Sequence, residues 1–369
     1  VMDNELVELI DLNRDGLADI LKTDFSGSAH LGYLNLGSED ADPFSTVHWS
    51  EPVRITSDDA LADQLHLIEG QVNLADINGD GLADLVHTSG ADEVFYHSNQ
   101  GNLSWGNRTR MSITDYGPPP PSSSTDIIVA DIDFDKRIDI IQSLDSGYSI
   151  WFNQESGVYS RKVVSSGARY NGQVLLFSSP GVQSGDMNGD RLADVVKITS
   201  GEVIYCASRG HGNFANSVSV SIPDMQLTDG ENGQIGRAKI TDINGDGLDD
   251  LVVERAQNDQ LWFWLNLGTD RFSSRYIVTG IPEAYGVNAT VRWADMNGNG
   301  TTDLVYADSG AADRIRIVDI GTLVQGDTFP HLLTSINNGL GITTSLTYRS
   351  STSFYLQAAR EDNPWTSTI

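Results

Sequence analysis

Six times along the chain one acidic loop recurs, with a carboxylate or amide at its first, third and fifth positions and Asp at its ninth. The copies are DLNRDGLAD from Asp11, DINGDGLAD from Asp76, DIDFDKRID from Asp131, DMNGDRLAD from Asp186, DINGDGLDD from Asp242 and DMNGNGTTD from Asp295. Their starts lie 65, 55, 55, 56 and 53 residues apart. A period of that size marks stacked or radially arranged units that bury their apolar faces against one another.

Each loop is flanked by short, partly apolar segments, such as Gln71-Val72-Asn73-Leu74-Ala75 before and Leu85-Val86-His87 after. They are too short for helices and rich in β-branched residues, so both read as strands joined by the loop. A turn follows, at Ser26-Gly27, Ser89-Gly90, Ser146-Gly147, Ser200-Gly201, Asn258-Asp259 and Ser309-Gly310. The third strand ends in a signature, Tyr33-Leu34-Asn35-Leu36-Gly37 or Trp264-Leu265-Asn266-Leu267-Gly268, which is looser at Tyr205 to Gly210 and at Ile317 to Gly321. Room remains for one outer strand, often opened by Gly-x-Phe as at Gly212-Asn213-Phe214.

Four short antiparallel strands per repeat, without helical periodicity, predict an all-β fold: a six-bladed β-propeller of four-stranded antiparallel blades. An open solenoid is the competing repeat architecture, but four-stranded units with short turns suit radial closure better. The expected propeller spans residues 1–327, with blade repeats beginning near 6, 71, 126, 181, 237 and 290. Residues 328–369 would supply closing strands and the start of a linker to a following domain. The run Pro118 to Ser124 keeps the normal period and reads as a stiff surface loop.

The formal charge of −28, from 51 acidic and 23 basic residues, argues against a nucleic-acid partner, which needs clustered Lys and Arg. It favours cations, because eighteen of the acids occupy positions 1, 3, 5 and 9 of the loops. No apolar run approaches the ~20 residues of a membrane helix, so no membrane insertion is expected. The single cysteine, Cys206, rules out an intramolecular disulfide and sits in a strand-like run. Val1 to Glu5 have no basic or apolar leader character, so no signal peptide is expected there.

Calcium takes six to eight hard oxygens, which a tight loop can offer from side chains at 1, 3, 5 and 9 and a carbonyl at 7. The expected ligands are Asp11, Asn13, Asp15, Asp19 and the Leu17 carbonyl; Asp76, Asn78, Asp80, Asp84 and the Leu82 carbonyl; and Asp242, Asn244, Asp246, Asp250 and the Leu248 carbonyl. Flanking helices and a Glu at position 12, as in an EF-hand, are absent. Lys136 and Arg191 replace the position-6 Gly, and the loop at Asp295 keeps two carboxylates, so these three loops are expected to be weak or empty. Asp and Asn also bind their own backbone amides in such turns without any metal.

No phosphate loop, nucleophile elbow or zinc-binding helix motif is present, and the seven histidines are scattered, so no catalytic residues are assigned and no enzyme activity is expected. Carboxylate pairs are too numerous among 51 acids to signal hydrolysis. Trp151, Trp262, Trp264 and Trp293 sit on strands, where packing is the default; Trp49 and Trp105 lie outside them and are expected nearer the surface.

The loops and their following strands resemble the FG-GAP or VCBS repeats of integrin-α-type propellers over about residues 6 to 321. The tail from Leu332 to Thr352, with Phe354-Tyr355 and Asn363-Pro364-Trp365, resembles the segment after the propeller in the B component of ABC insecticidal toxin complexes and related SpvB/RHS-type proteins. That resemblance implies a secreted virulence factor whose propeller docks onto the pentameric channel-forming A component. It would gate passage of a toxic peptide held by RHS-type cocoon domains of its own longer chain. The chain would then be a propeller cut from something longer. The alternative is an integrin-like adhesion or lectin propeller binding protein or glycan.

Overall fold

The computed structural model describes residues 7–23, 29–37, 47–57, 59, 61–67, 72–89, 93–113, 126–155, 157–164, 166–228, 234–254, 260–279, 291–307, 315–325, 332–361, 363 and 365. The Ser26-Gly27, Asn258-Asp259 and Ser309-Gly310 turns, Gly90 and the proline run lie outside these residues. Ser200-Gly201 forms a two-residue hairpin turn, closed by Thr199 against Glu202, whereas the turn expected at Ser146-Gly147 lies one residue earlier, at Asp145-Ser146, with Gly147 already paired to Leu144.

Six antiparallel sheets succeed one another along the chain, each with its strands in sequence order from its first strand outwards. Blade 1 is Val7–Ile10, Asp19–Lys22, Leu31–Tyr33 and Val53–Arg54; blade 2 is Val72–Ala75, Asp84–Ser89, Glu93–His97 and Thr109–Arg110. Blade 3 is Ile127–Ala130, Asp139–Leu144, Gly147–Glu155 and Val158–Val164, with Ser112–Ile113 added as a fifth, parallel strand. Blade 4 is Val182–Gly185, Asp194–Thr199, Glu202–Cys206 and Val218–Ser221; blade 5 is Ala238–Thr241, Asp250–Val253, Leu261–Trp264 and Tyr276–Val278. Blade 6 has three described strands, Val291–Ala294, Asp303–Ala307 and Ile315–Val318, instead of four.

The first hairpin has one register throughout. The residue before each acidic loop pairs with the loop's ninth residue: Ile10 with Asp19, Ala75 with Asp84, Ala130 with Asp139, Gly185 with Asp194, Thr241 with Asp250 and Ala294 with Asp303. Because side chains alternate across a strand, this common register puts equivalent residues of all six blades on equivalent faces.

The apolar core is divided among the blade interfaces. One cluster lies between each neighbouring pair: Ile55, Leu65 and Trp105 between blades 1 and 2, Met111, Trp151 and Tyr159 between 2 and 3, and Tyr148, Phe177 and Cys206 between 3 and 4. Met187, Met225 and Trp264 fill the interface of blades 4 and 5, Phe263, Leu304 and Tyr306 that of blades 5 and 6, and Val7, Ile20, Met296 and Ile317 that of blades 6 and 1. The last cluster, joining the two ends of the array, closes the ring and excludes the open solenoid. Each such side chain contributes ~1.5–3 kcal/mol by leaving water, so the wedges between blades carry most of the fold's stability.

Trp105 corrects the sequence expectation: it is buried, not superficial, and its Nε1 donates to His30 Nδ1 at 3.0 Å. It belongs to the pair of short parallel strands, Thr56–Ser57 and Ser104–Trp105, that ties the outer part of blade 1 to blade 2. Beyond the ring lie helix α1 (Ile320–Gln325), the hairpin Ser335–Asn337 with Thr343–Ser345, and helix α2 (Ser351–Arg360). The hairpin pairs with itself and completes no blade; α2 has no counterpart in the sequence reading. No described helix is long and apolar enough to cross a membrane.

Candidate metal sites on the acidic rim

Each loop turns on its first aspartate. Asp11 Oδ1 accepts the backbone N–H of Asn13, Arg14 and Asp15 at 3.2, 2.6 and 3.3 Å, and Oδ2 that of Gly16 at 2.9 Å. Asp76, Asp131, Asp186, Asp242 and Asp295 repeat the arrangement, with the position-4 and position-6 amides as the shortest donors. Wrapping the chain around one carboxylate forces φ > 0 at positions 4 and 6. At position 6, Lys136 and Arg191 accept φ of 70° and 66° where the other loops have Gly. Position 4 also needs it, at Arg14 and Phe134 as well as Gly79, Gly189, Gly245 and Gly298, a requirement the sequence reading missed although the Gly residues signalled it.

The ninth aspartate is fully buried in all six loops and connects two strands. Asp250 Oδ2 accepts the Ile243 N–H at 3.2 Å, and Oδ1 the Asn266 N–H at 2.7 Å. Asp19, Asp84, Asp139 and Asp194 make the same two bonds, the second from Asn35, Asn99, Asn153 and Ser208 of the third-strand signature. Burial pushes Asp19 up to about 8 and Asp84, Asp139 and Asp194 up to about 7, with the backbone bonds opposing. Asp250 and Asp303 also rise well above the usual carboxylate range through burial.

The signature asparagine then reaches across to the preceding blade. Asn99 Nδ2 donates to the Asp11 carbonyl at 2.9 Å, Asn153 to Ile77 at 2.8 Å, Asn266 to Met187 at 3.0 Å and Asn35 to Met296 at 3.0 Å. These four contacts pin seams 1/2, 2/3, 4/5 and 6/1. Ser208 in blade 4 and Asp319 in blade 6 take the equivalent position and make no such bond among the described residues. Asp319 instead accepts the side-chain amides of Asn297 and Asn299 at 2.9 and 3.0 Å and the Thr322 hydroxyl at 2.7 Å. Asp303 Oδ1 beside it is buried without a partner.

Whether these loops suit a cation depends on which oxygens remain. In the loops at Asp11 and Asp242, Asn13 and Asn244 donate to Asp15 and Asp246 at 2.9 and 3.2 Å, while positions 1 and 9 face backbone amides. Asp80 of the second loop pairs with Arg14 at 2.8 Å. The nine carboxylates expected as ligands are thus placed on one rim, three to a loop, without three of them converging in any loop. Convergence occurs in the loop at Asp131, which the sequence ranks low. There Asp131, Asp133 and Asp139 bring oxygens within 4.8 Å of one another, and Asp133 Oδ1 is buried without a partner. Asp135 is turned away to Arg137. Three carboxylates with one unused buried oxygen fit a hard divalent cation.

Helix α2 lies on the same rim at the seam of blades 6 and 1. Thr352 Oγ1 donates to the Asp15 carbonyl at 3.1 Å and faces Gly298, and Arg360 donates to the Leu36 carbonyl at 2.8 Å.

Two family models match this chain. One, described as an FG-GAP-like repeat, matches residues 76–141, 186–253 and 242–306, together just over half of the sequence. The other, described as the insecticide toxin TcdB middle/N-terminal region, matches residues 282–369. No curated protein matches in sequence. Among solved structures, the Photorhabdus luminescens Tc holotoxin pore aligns over 96% of this chain and 15% of its own, with 20% identity and a TM-score of 0.74. A TcdB2-TccC3-Cdc42 crystal structure aligns over 98% of this chain and 16% of its own, with 20% identity and a TM-score of 0.58. An Agrocybe aegerita lectin that recognises non-reducing terminal N-acetylglucosamine aligns over 88% of this chain and 82% of its own, with 18% identity and a TM-score of 0.52. This chain therefore spans under a sixth of the toxin chains it resembles.

Proposed function

The chain belongs to the FG-GAP-like repeat family, and from that premise we propose that its propeller serves a B component of an ABC-type toxin complex. In this reading the ring docks onto the pentameric channel-forming A component, gates passage of a toxic peptide, acts outside the producing cell and catalyses nothing. The observation that carries it is the tail. Its last 88 residues match the TcdB middle/N-terminal region, and they present apolar surface that the ring does not cover. Leu340 is 89% and Ile342 64% exposed, and Leu332, Leu333 and Ile336 of the same segment are exposed as well. Exposed apolar side chains in such number suit contact with further protein, and RHS-type cocoon domains of a longer parent chain are the proposed cover. Helix α2, fixed to the rim, would hold that second body in a set orientation to the ring.

We assign calcium a bracing role at the rim. Asp11, Asn13, Asp15, Asp19 and the Leu17 carbonyl would hold one ion, and the loops at Asp76 and Asp242 their equivalents. The triad Asp131, Asp133 and Asp139 is a further set, and the one whose geometry already converges. A bound ion would neutralise clustered carboxylates and stiffen the turn.

The second reading is a glycan-binding propeller. A cleft of about 580 Å³ where blades 1 and 2 meet is lined by uncharged groups, among them Ser57, Ser98, Gln100, Asn102, Asn107 and Thr109. Such hydroxyl and amide groups match a sugar's own. Interferometry of the purified chain against a pentameric toxin channel, run in parallel with a glycan array, separates the two. Submicromolar binding to the channel supports docking; a glycan hit with no channel binding overturns it.

A further inference from the structure

Four of the chain's histidines, His30, His66, His87 and His97, are buried in blades 1 and 2 or the segment joining them. His87 and His97 lie diagonally across the second and third strands of blade 2, their rings stacked at 5.6 Å and 21°. His87 also stacks on Phe95 at 5.5 Å. The two are 3% and 0% exposed, and the Nε2 of each is buried with no partner among the described residues. His97 Nδ1 lies 3.1 Å from the Gly106 carbonyl, which places its proton there and leaves Nε2 as a bare lone pair.

We propose that His87 and His97 form an acid-sensitive element that loosens the junction of blades 1 and 2. The charged and titratable groups facing them come from three elements. Asp59, on the segment between the blades, favours their protonation; Arg108, 3.7 Å from Asp59 and 5.2 Å over Phe95, opposes it. His30 of blade 1 is held neutral, because its Nδ1 accepts from Trp105 at 3.0 Å and its Nε2 donates to the Leu65 carbonyl at 2.7 Å. Burial dominates. It presses His87 down to about 4 and lowers His97 and His30 from their ordinary 6.5.

The sign follows from linkage. Below pH 6.5 the unfolded chain takes up protons that the folded pair refuses, so the pair's own contribution to stability is lost as the medium acidifies towards 5, against the opposite trend of the buried aspartates. Any proton that does enter puts a cation into the stack beside Arg108. The affected junction is held by the parallel strands Thr56–Ser57 and Ser104–Trp105, by Leu103 N–H donating to the Leu12 carbonyl at 3.2 Å and by the Asn99 pin to the Asp11 carbonyl. The device does not depend on which partner the ring binds.

Hydrogen exchange of the full chain at pH 8 and pH 5, corrected for intrinsic rates, tests it. Protection of residues 53–57 and 104–110 should fall roughly tenfold at pH 5, while residues 238–254 of blade 5 keep theirs. The H87F/H97F double variant should lose the pH dependence, and Arg108→Gln, at an exposed position, should shrink it. Equal protection of the wild-type junction at both pH values overturns the proposal. So does an undiminished pH response in whichever of the two variants folds.

Discussion

Blade 5 has two seams of different construction. Towards blade 4 it is wired by polar bonds: Asn266 to the Met187 carbonyl, Gln183 Nε2 to the Ala238 carbonyl at 2.6 Å, and Asp186 N–H to Asp249 Oδ2 at 2.6 Å. Towards blade 6 the apolar wedge around Phe263 and Tyr306 carries the contact, with one bond among the described residues, from Trp293 Nε1 to Glu254 at 2.6 Å. The apolar wedge is common to every seam, so it explains closure; the asparagine pin is not, so it explains why seams differ. A buried hydrogen bond contributes only about 1 kcal/mol net, but leaving its partner unpaired costs ~1–3 kcal/mol. Pinned seams therefore resist separation more than unpinned ones of similar area.

The largest expected effect lies at the ninth aspartates. Asp250→Ala strips acceptors from two buried amides, Ile243 and Asn266, and should cost ~2–5 kcal/mol in urea unfolding. Asp303→Ala, at the unpinned seam, removes one such acceptor and relieves crowding with Asp319, so it should cost less than half as much. Equal losses would break the comparison.

Metal comes next. Calcium at a hundred times its dissociation constant adds ~2.7 kcal/mol per site, so chelation should lower the melting temperature by several degrees. An unchanged melt in EDTA would count against occupied loops. Asp242→Ala should remove more of the calcium effect than Asp295→Ala, and Asp133→Ala should remove a further share.

A smaller, graded effect is expected from pH in metal-free buffer. Asp19, Asp84, Asp139 and Asp194, raised from 3.8 to about 7 or 8 in the folded chain, give stability that is present at low pH and lost as pH rises through those values. Between pH 6.5 and 8.5 each lowered histidine regains only about 0.4 kcal/mol, less than the aspartates lose, so a calorimetric melting temperature should fall across that window. A rise would contradict the burial argument. Smallest of all, Arg14→Ala removes a half-exposed ion pair with Asp80 linking loops 1 and 2, and should change stability by under about 1 kcal/mol.

Much of this was legible in the loops themselves. Fixed spacing of Asp11, Asp76 and their successors gave the blade count, and alternation around them gave the strands, because both follow from local periodicity. The two loosened signatures, at Tyr205 to Gly210 and Ile317 to Gly321, mark the two seams without a pin, although nothing local says what the asparagine reaches. Its acceptor lies 76 to 261 residues away, on another blade. Burial of Trp105 was hidden for the same reason: the parallel pair covering it joins different repeats. Helix α2 was missed because its ten residues, Ser351–Arg360, are held by contacts to Asp15 and Leu36 and not by a strong helical pattern of their own. Carboxylate convergence in the Asp131 loop depends on which side chains are drawn off by Arg137 and by backbone amides, which loop composition does not reveal.

Paired unfolding of Asn266→Ala and Ser208→Asn, each against the wild-type chain, tests most directly whether the asparagine pin sets the strength of a seam. The first should lose ~1–3 kcal/mol by unpairing the Met187 carbonyl and the second should gain about 1 kcal/mol by adding the missing contact to blade 3. A neutral Asn266→Ala together with a destabilising Ser208→Asn would show that packing alone decides the ring.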